Sequence, residues 1–501
     1  MVILDKAEWH DEADVIVVGY GGGGAVAAVT AHDTGADVLI VEKQIAETHV
    51  NNTMMSGGAF ISPTDVKGTE EYLRLLAHVD KDLFWTDPEI IKVWAEYTCQ
   101  NRAWVDQMGG KVEFWQGVTG GHRELMGNDV IKIHRFPEAG RGFMGFLKEL
   151  VNQRHIKTMH GARARRLITN HRGEVIGLTV QRDDGSEINL KAARSVILST
   201  GGFEFNEPMK LQFLRCYPIY FTGSQANTGA GVKMAMSVGA DLWHMNCCAA
   251  GFVMKFPELP FAFAPQLRGS QQGRTTGTRA SPSACGYIVV DKTGHRFTNE
   301  NFKQHHVTYE LGGYDSRTLN FPRIPAYWIM DQKRIKDGPL TGTNGGAAGS
   351  VCFYQWGEDN KTEIDRGWIT AADDISELGR KLGIDAENLK KTVENYNGYC
   401  RNGNDLEMRR RPDGLVPLDA PPYYGVKLWP GGPNTQGGPR RNYKAQVVDV
   451  ESNPIPGLYA AGELGSVFGM LYTGGGNLGE CLAFGRIAGE NAAKEKPHSF
   501  S

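Results

Sequence analysis

The sequence predicts an α/β protein: a Rossmann-like nucleotide-binding domain, discontinuous in the chain, with an inserted α+β catalytic or capping domain. Three observations carry that prediction. An apolar, β-branched run, Asp14-Val-Ile-Val-Val18, leads straight into a glycine cluster, Gly19-Tyr-Gly21-Gly-Gly-Gly24. A second apolar strand, Gly457 to Glu463, ends in Ala-Gly-Glu near the far end of the 501 residues. The chain also holds 63 glycines, well above the usual ~7 %. They gather in short clusters with no three-residue period, which excludes collagen.

The first glycine cluster has the setting that gives such a motif meaning. Asp14 to Val18 reads as a buried parallel strand, Ala25 to Ala31 as helix, and Asp37 to Val41 as a second strand ending at Glu42. Gly19 permits the tight turn, Gly21 brings backbone close to a pyrophosphate, and Gly24, next to Gly23, lets helix pack on strand. The helix N-terminus turns N–H groups and a positive dipole end toward phosphates. Glu42, with Lys43 beside it, stands where a carboxylate accepts from ribose hydroxyls. Strand, glycines, helix, strand and acid together define a dinucleotide site.

Composition removes other classes. Lys plus Arg is 54 and Asp plus Glu is 57, a net charge of −3, which argues against nucleic-acid or anionic-membrane partners. The one basic run, Arg409-Arg410-Arg411-Pro412, follows Asp405 and Glu407 and reads as a solvated loop. Eight cysteines are too few for a disulfide scaffold, and none has C-x-x-C spacing, so zinc, c-type haem and clusters are not expected. Cys247-Cys248 reads as a pair of adjacent buried thiols. Without a signal peptide or an apolar stretch of ~20 residues, a cytoplasmic chain with no membrane span is expected.

The remaining motifs resemble the fumarate reductase/succinate dehydrogenase flavoprotein superfamily. They are Thr53 with Ser56-Gly57-Gly58, Ser199-Thr200-Gly201-Gly202, Asn227-Thr-Gly229-Ala-Gly231, Gly294-His-Arg-Phe-Thr-Asn-Glu300, Tyr396-Asn-Gly398 and Ala460 to Glu463. The resemblance covers most of the chain and implies FAD as cofactor. It implies contacts from the first glycine segment, from Ala164, from Thr200 to Gly202, from Glu463, and from Asn477-Leu478 at the start of a helix-like run from Cys481 to Ala493. Covalent members carry a histidine before the threonine of the Thr53 segment. Here that position is Asn52, with His49 nearby but out of register, so the resemblance implies non-covalent FAD.

The same pattern places the boundaries: residues 1–254 and 425–501 as the FAD-binding domain, and 255–424 as the inserted domain. Pro/Gly-rich stretches mark both junctions. Within the insert, Tyr287 to Val290 and Ala326 to Met330 read as strands. Asp385 to Tyr399 reads as an amphipathic helix with Leu389, Val393 and Tyr396 on one face.

Fumarate reductases clamp a dicarboxylate with cations, and the matching positions here are neutral. Gln304 stands for the acid arginine, Asn434 for a histidine before Thr435-Gln-Gly-Gly438, and Thr473 for a second arginine. Ala280 and Ser283 replace a Glu and an Arg. A dicarboxylate without cations in a closed site is costly. Tyr472-Thr-Gly-Gly-Gly476 instead resembles the branch of FAD-dependent 3-ketosteroid dehydrogenases, in which the tyrosine hydroxyl and last glycine N–H bind a ketone. Gly202-Phe-Glu-Phe-Asn206 and Thr435 to Arg440 are also similar to that branch.

Two such donors form an oxyanion hole for an enolate as a base takes the α-proton and a β-hydride passes to FAD. His305, His306 and Tyr309 are the nearest candidates for the base. His134-Arg135-Phe136 lies where that branch supplies an auxiliary tyrosine, and Arg135 is also able to clamp a carboxylate. Phe114 and Trp115 are expected in an apolar pocket. The expected function is α,β-dehydrogenation of a 3-ketosteroid or related cyclic ketone, or the reverse ene reduction, with an unknown electron acceptor or donor. The alternatives are an ene-reductase of an α,β-unsaturated carboxylate and an electron-transfer flavoprotein subunit.

Overall fold

The computed structural model describes residues 8–115, 121–267, 286–300, 306–342 and 351–498. The chain divides into two units. The first comprises Met1–Phe213, Ser224–Cys248 and Asn434–Ser501; the second comprises Leu214–Gly223 and Ala249–Pro433. The boundaries between these units fall between Cys248 and Ala249 and between Pro433 and Asn434, and a short excursion, Leu214–Gly223, belongs with the second unit. Strand pairing explains that excursion: Tyr220 and Phe221 lie in parallel register with Gly431 and Gly432.

The first unit is built on an eight-stranded sheet. Its main path runs Gln446–Val448, Pro454–Ala460, Glu187–Leu198, Asp11–Val18 (β1), Val38–Val41 (β2) and Lys157–Met159. The last five of these are mutually parallel; Gln446–Val448 and Val175–Arg182 run antiparallel to them, and Ala162–Thr169 pairs antiparallel with Val175–Arg182. Val15 to Val18 are buried on both faces, as the unbroken β-branched run requires.

Helix α1, Gly22–Asp33, follows β1, and every residue from Gly22 to Ala31 is buried. A helix without a polar face belongs in an interior. It lies against the C-terminal helix Gly476–Lys494, where glycines set the approach. A Cβ on Gly485 would stand 2.8 Å from Val26 Cβ, and one on Gly489 would stand 2.5 Å from Ala27 O.

In the second unit, Tyr287–Val290, Ala326–Asp331 and Tyr423 onward form an antiparallel sheet, Val289 opposite Trp328 and Trp328 opposite Val426. The helix Ala386–Asn402 starts at Asp385, whose carboxylate accepts from Asn388 N–H at 2.9 Å. It lays Leu389, Val393 and Tyr396 onto Ile288, Val290 and Ile329.

The basic run departs from expectation. Arg409 and Arg411 are exposed, but Arg410 is 2 % exposed. It stacks on the Tyr287 ring at 4.7 Å and donates to Tyr287 O at 2.6 Å. Asp405 is buried as well, paired with Arg296 at 2.8 Å, and Arg296 also holds Glu300 at 2.6 Å. What reads as a solvated charge run is anchored by planar guanidinium groups that bury on aromatic faces and fork onto carboxylates. The Arg296 and Glu300 of the Gly294–Glu300 motif serve this same buried network.

Candidate active site

Register places the motifs. Val18 stands opposite both Val41 and Leu198, and Leu198 opposite Ala460. The three segments that follow β1, β2 and Glu187–Leu198, and the one after Pro454–Ala460, therefore leave the sheet at one edge. These are the glycine turn, Glu42, Ser199 to Gly202, and Ala461 to Glu463. The carboxyl edge of a parallel sheet is where open α/β folds bind ligands.

A cleft opens there, at the sheet edge where such folds hold their ligands. Of the residues expected at the cofactor, Gly19, Gly21, Glu42, Lys43, Asn52, Thr53, Ala164, Thr200, Gly201 and Glu463 line it. Gly23, Gly24, Ser56, Gly57, Gly58, Gly202, Asn477 and Leu478 are not on its wall. Several of these pack behind it. A Cβ on Gly24 would stand 2.1 Å from Gly19 O, and one on Gly23 would stand 3.1 Å from Gly462 Cα. Gly58, at φ +67°, would collide with Ala139 backbone at 2.3 Å. The Ser56 hydroxyl donates to Thr53 O at 2.7 Å.

The wall fits a dinucleotide. Gly21, the N-cap of α1, has no side-chain cap, and a Cβ built on it would meet nothing within 4 Å. That opening, at a helix N-terminus, is a cradle for phosphate. Thr200 Oγ1, on the same wall, is a buried hydroxyl with no partner among the described residues. Glu42 is held by Tyr20 N–H at 2.9 Å and Gln44 N–H at 2.8 Å, which fixes its carboxylate at the cleft. Lys43 Nζ donates to Ala226 O and, at 3.2 Å, to Thr228 Oγ1. Asn52 accepts from Ser224 N–H at 2.6 Å and donates to Glu463 Oε2 at 2.9 Å.

His49 is buried behind Glu42, its Nε2 3.8 Å from Glu42 Oε2 and its ring stacked on Tyr20 at 5.6 Å. Burial lowers its pKa to about 4 against the pull of Glu42.

The expected catalytic residues lie in different settings. Tyr472 is buried, edge-on to Phe468 at 5.1 Å. Burial pushes its hydroxyl up to about 12, opposed by backbone N–H groups of Asn477 and Gly475 directed at its oxygen. Gly476 opens the C-terminal helix, and its N–H donates to Thr473 O at 2.9 Å. The second donor expected for a ketone is thus engaged within its own turn.

Arg135 donates to Gly57 O at 3.0 Å and stacks over Trp115 at 5.3 Å. Among the described residues it forms no ion pair. His306 is half-buried just before the short helix Thr308–Leu311; His305, like Gln304, Ala280 and Ser283, lies outside the described residues. Tyr309 stacks with Arg215 at 5.6 Å. Phe114 is 51 % exposed on the strand Glu113–Phe114, so the pocket expected from it is not formed there. Cys247 and Cys248 are both buried thiols, as their adjacency suggests.

Several contributors escape a reading by motif. Arg441 and Glu480 form a fully buried pair, and Glu480 also takes Ser466 Oγ at 2.6 Å and Val467 N–H at 3.0 Å. They fasten the segment before Tyr472 to the C-terminal helix. Ser224 and Thr228 hold Asn52 and Lys43, but isolated polar residues carry no spacing signal. Glu204 lies inside the Gly202–Asn206 motif, where an acid flanked by aromatics without a cation is the one available clue.

The FAD binding domain family matches residues 14–478, and the chain belongs to it. It is 29 % identical to urocanate reductase of Eggerthella lenta, over 96 % of this chain and 75 % of that protein. It is 27 % identical to a fumarate reductase (cytochrome) of Shewanella frigidimarina, over 97 % and 78 %. Identity is also 27 % to a 3-oxosteroid 1-dehydrogenase of Mycobacterium tuberculosis, over 97 % and 99 %. Its fold is similar to that of 3-ketosteroid Δ1-dehydrogenase from Sterolibacterium denitrificans, with a TM-score of 0.81 at 22 % identity over 97 % of this chain and 100 % of that one. The chain is an FAD-dependent dehydrogenase or reductase acting on CH–CH bonds. No helix among the described residues is long and apolar enough to cross a membrane.

Proposed function

We propose that this enzyme desaturates a cyclic ketone next to its carbonyl, steroid-like or cyclohexanone-like, or runs the reverse ene reduction. The observation that carries the reading is the neutrality of two positions where fumarate reductases place cations. Asn434 accepts from Asn477 Nδ2 at 2.8 Å, and Thr473 Oγ1 accepts from Tyr72 O–H and Gly121 N–H at 3.1 Å each. Both side chains are committed to neutral partners, and neither offers charge to a carboxylate.

Tyr472 supplies the complementary feature. With its hydroxyl held at about 12, it remains a neutral donor across the physiological range and stabilises a developing enolate oxygen without surrendering its own proton. Bound FAD supplies the acceptor for the β-hydride. Asn52, an amide hydrogen-bonded at both ends, holds the cofactor without a covalent link. The similarity to a 3-oxosteroid 1-dehydrogenase, which spans 99 % of that protein, supports the ketone.

A second reading has one specific support. Arg135 lacks an acid partner among the described residues, and urocanate and fumarate reductases are equally similar relatives. On that reading Arg135 clamps a carboxylate. Product analysis separates the two. The loaded enzyme, given saturated cyclic ketones and an artificial electron acceptor, is expected to form the conjugated enone. Inactivity on every ketone, with turnover of α,β-unsaturated acids by the reduced enzyme, sinks the ketone reading.

A further inference from the structure

Two acids meet at the cofactor cleft with no cation between them. Glu463 stands half-buried on the wall. Its Oε1 accepts from Gly202 N–H at 3.1 Å and Asn227 Nδ2 at 3.3 Å, and its Oε2 accepts from Asn52. Glu204 lies behind it, 1 % exposed, and its Oε1 accepts from Thr435 N–H at 2.6 Å and Thr435 Oγ1 at 3.0 Å. Its second oxygen, Oε2, is buried and receives no donor from the described residues. Gly202 shows how close the two come: a Cβ there would stand 2.6 Å from Glu204 Oε1 and 2.9 Å from Glu463 Oε1.

Two carboxylates in such a space repel, and a buried carboxylate oxygen left unsatisfied is costly. One proton removes both problems, because the protonated acid donates to its neighbour. We propose that Glu204 and Glu463 form a carboxyl pair that shares one proton, and that FAD binding is linked to retention of that proton.

The environment supports the assignment. Glu463 is held well above the usual carboxylate range, first by burial, then by the charge of Glu204 and a hydrogen bond with it. Hydrogen bonds from Asn52 and Gly202 pull the other way. The other ionisable groups around the pair do not neutralise it. Cys481, on the same wall, has its thiol pushed up by burial and by the charges of Glu480 and Glu463. Arg441, which reaches the Gly462 carbonyl, is paired with Glu480. Lys43, Glu42 and Arg163 line the cleft; Lys43 is bound to Ala226 and Thr228, and Glu42 faces His49.

FAD brings two further negative charges and displaces water, so the bound state favours the singly charged pair over the doubly charged one. Proton uptake on binding follows wherever the free protein has begun to lose that proton.

The test is calorimetric titration of apoprotein with FAD, between pH 6 and 9, in buffers of differing ionisation enthalpy. The expected result is uptake rising toward about one proton, with affinity falling up to about tenfold per pH unit above the onset. Glu204→Gln keeps an oxygen for Thr435 and removes the shared charge, so uptake should vanish. Glu463→Gln, which leaves Glu204 as a lone acid, should abolish it as well, and uptake persisting in both variants would belong to another group on the wall. Zero uptake in the wild-type protein across the range overturns the proposal, as does equal uptake in Glu204→Gln. If Glu204→Gln fails to fold, the wild-type and Glu463→Gln titrations still decide.

Discussion

Single side chains here are set by what burial does to their protons. Tyr472 keeps its hydroxyl neutral because the phenolate is costlier to bury than the phenol. Tyr472→Phe should lower kcat by about 10²–10³-fold, the cost of one oxyanion donor, while FAD content and Tm stay unchanged. Loss of cofactor in parallel with activity would mark the residue as structural.

His49 gives the opposite kind of prediction. Its pKa is about 4 in the folded protein against 6.5 when solvated, so below pH 6.5 the unfolded chain binds a proton that the folded chain refuses. Stability is therefore full above pH 6.5 and falls as pH drops toward 4. Denaturant unfolding of His49→Asn at several pH values should show a shallower decline than the wild type over that window.

At the scale of elements, the first glycine turn separates two jobs that the motif runs together. Gly24→Ala places a methyl group 2.1 Å from Gly19 O, so α1 must shift off β1, and the apoprotein should lose stability. Gly21→Ala adds a methyl group to open cleft and should leave the apoprotein's Tm unaltered while weakening FAD binding. Equal losses of Tm in the two variants would contradict this division.

In the second unit, Arg296 neutralises Glu300 and Asp405, all fully buried. Arg296→Met should cost about 3–5 kcal/mol, read by thermal or urea unfolding, because buried Asp405 loses its counter-charge and Glu300 keeps only Arg410, at 3.7 Å. The sequence displays this arginine only as part of a family motif and the Arg409–Arg411 run only as charge. Neither pattern reveals that Arg410 is buried on Tyr287 and Tyr396, because the aromatic partners come from distant segments.

For the whole molecule, legibility follows sequence range. The β1–turn–α1–β2 unit is readable because its signals lie within about 30 residues and the steric demand on Gly24 comes from Gly19 inside that span. The return of Pro454–Ala460 beside Glu187–Leu198 is readable too, since Ala-Gly-Glu repeats a known chemical role at the same sheet edge. The excursion of Leu214–Gly223 into the other unit is set by two parallel pairs with Gly431 and Gly432, which no local pattern encodes.

The same limit hides the Glu204–Glu463 pair, whose members are separated by most of the chain. Substrate chemistry is harder still: the neutrality of Asn434 and Thr473 can be read from the sequence, but their commitment to Asn477, Tyr72 and Gly121 cannot.

The central claim is an FAD enzyme that draws hydride from a neutral ketone, and anaerobic mixing tests it most directly. Oxidised, FAD-loaded protein is mixed with a saturated cyclic ketone while flavin absorbance is followed. The account predicts bleaching by the ketone, recovery on adding the matching enone, and a rate about 10²–10³-fold lower in Tyr472→Phe. A flavin that no cyclic ketone bleaches, and whose reduced form is re-oxidised by fumarate-like acids but by no enone, would contradict it.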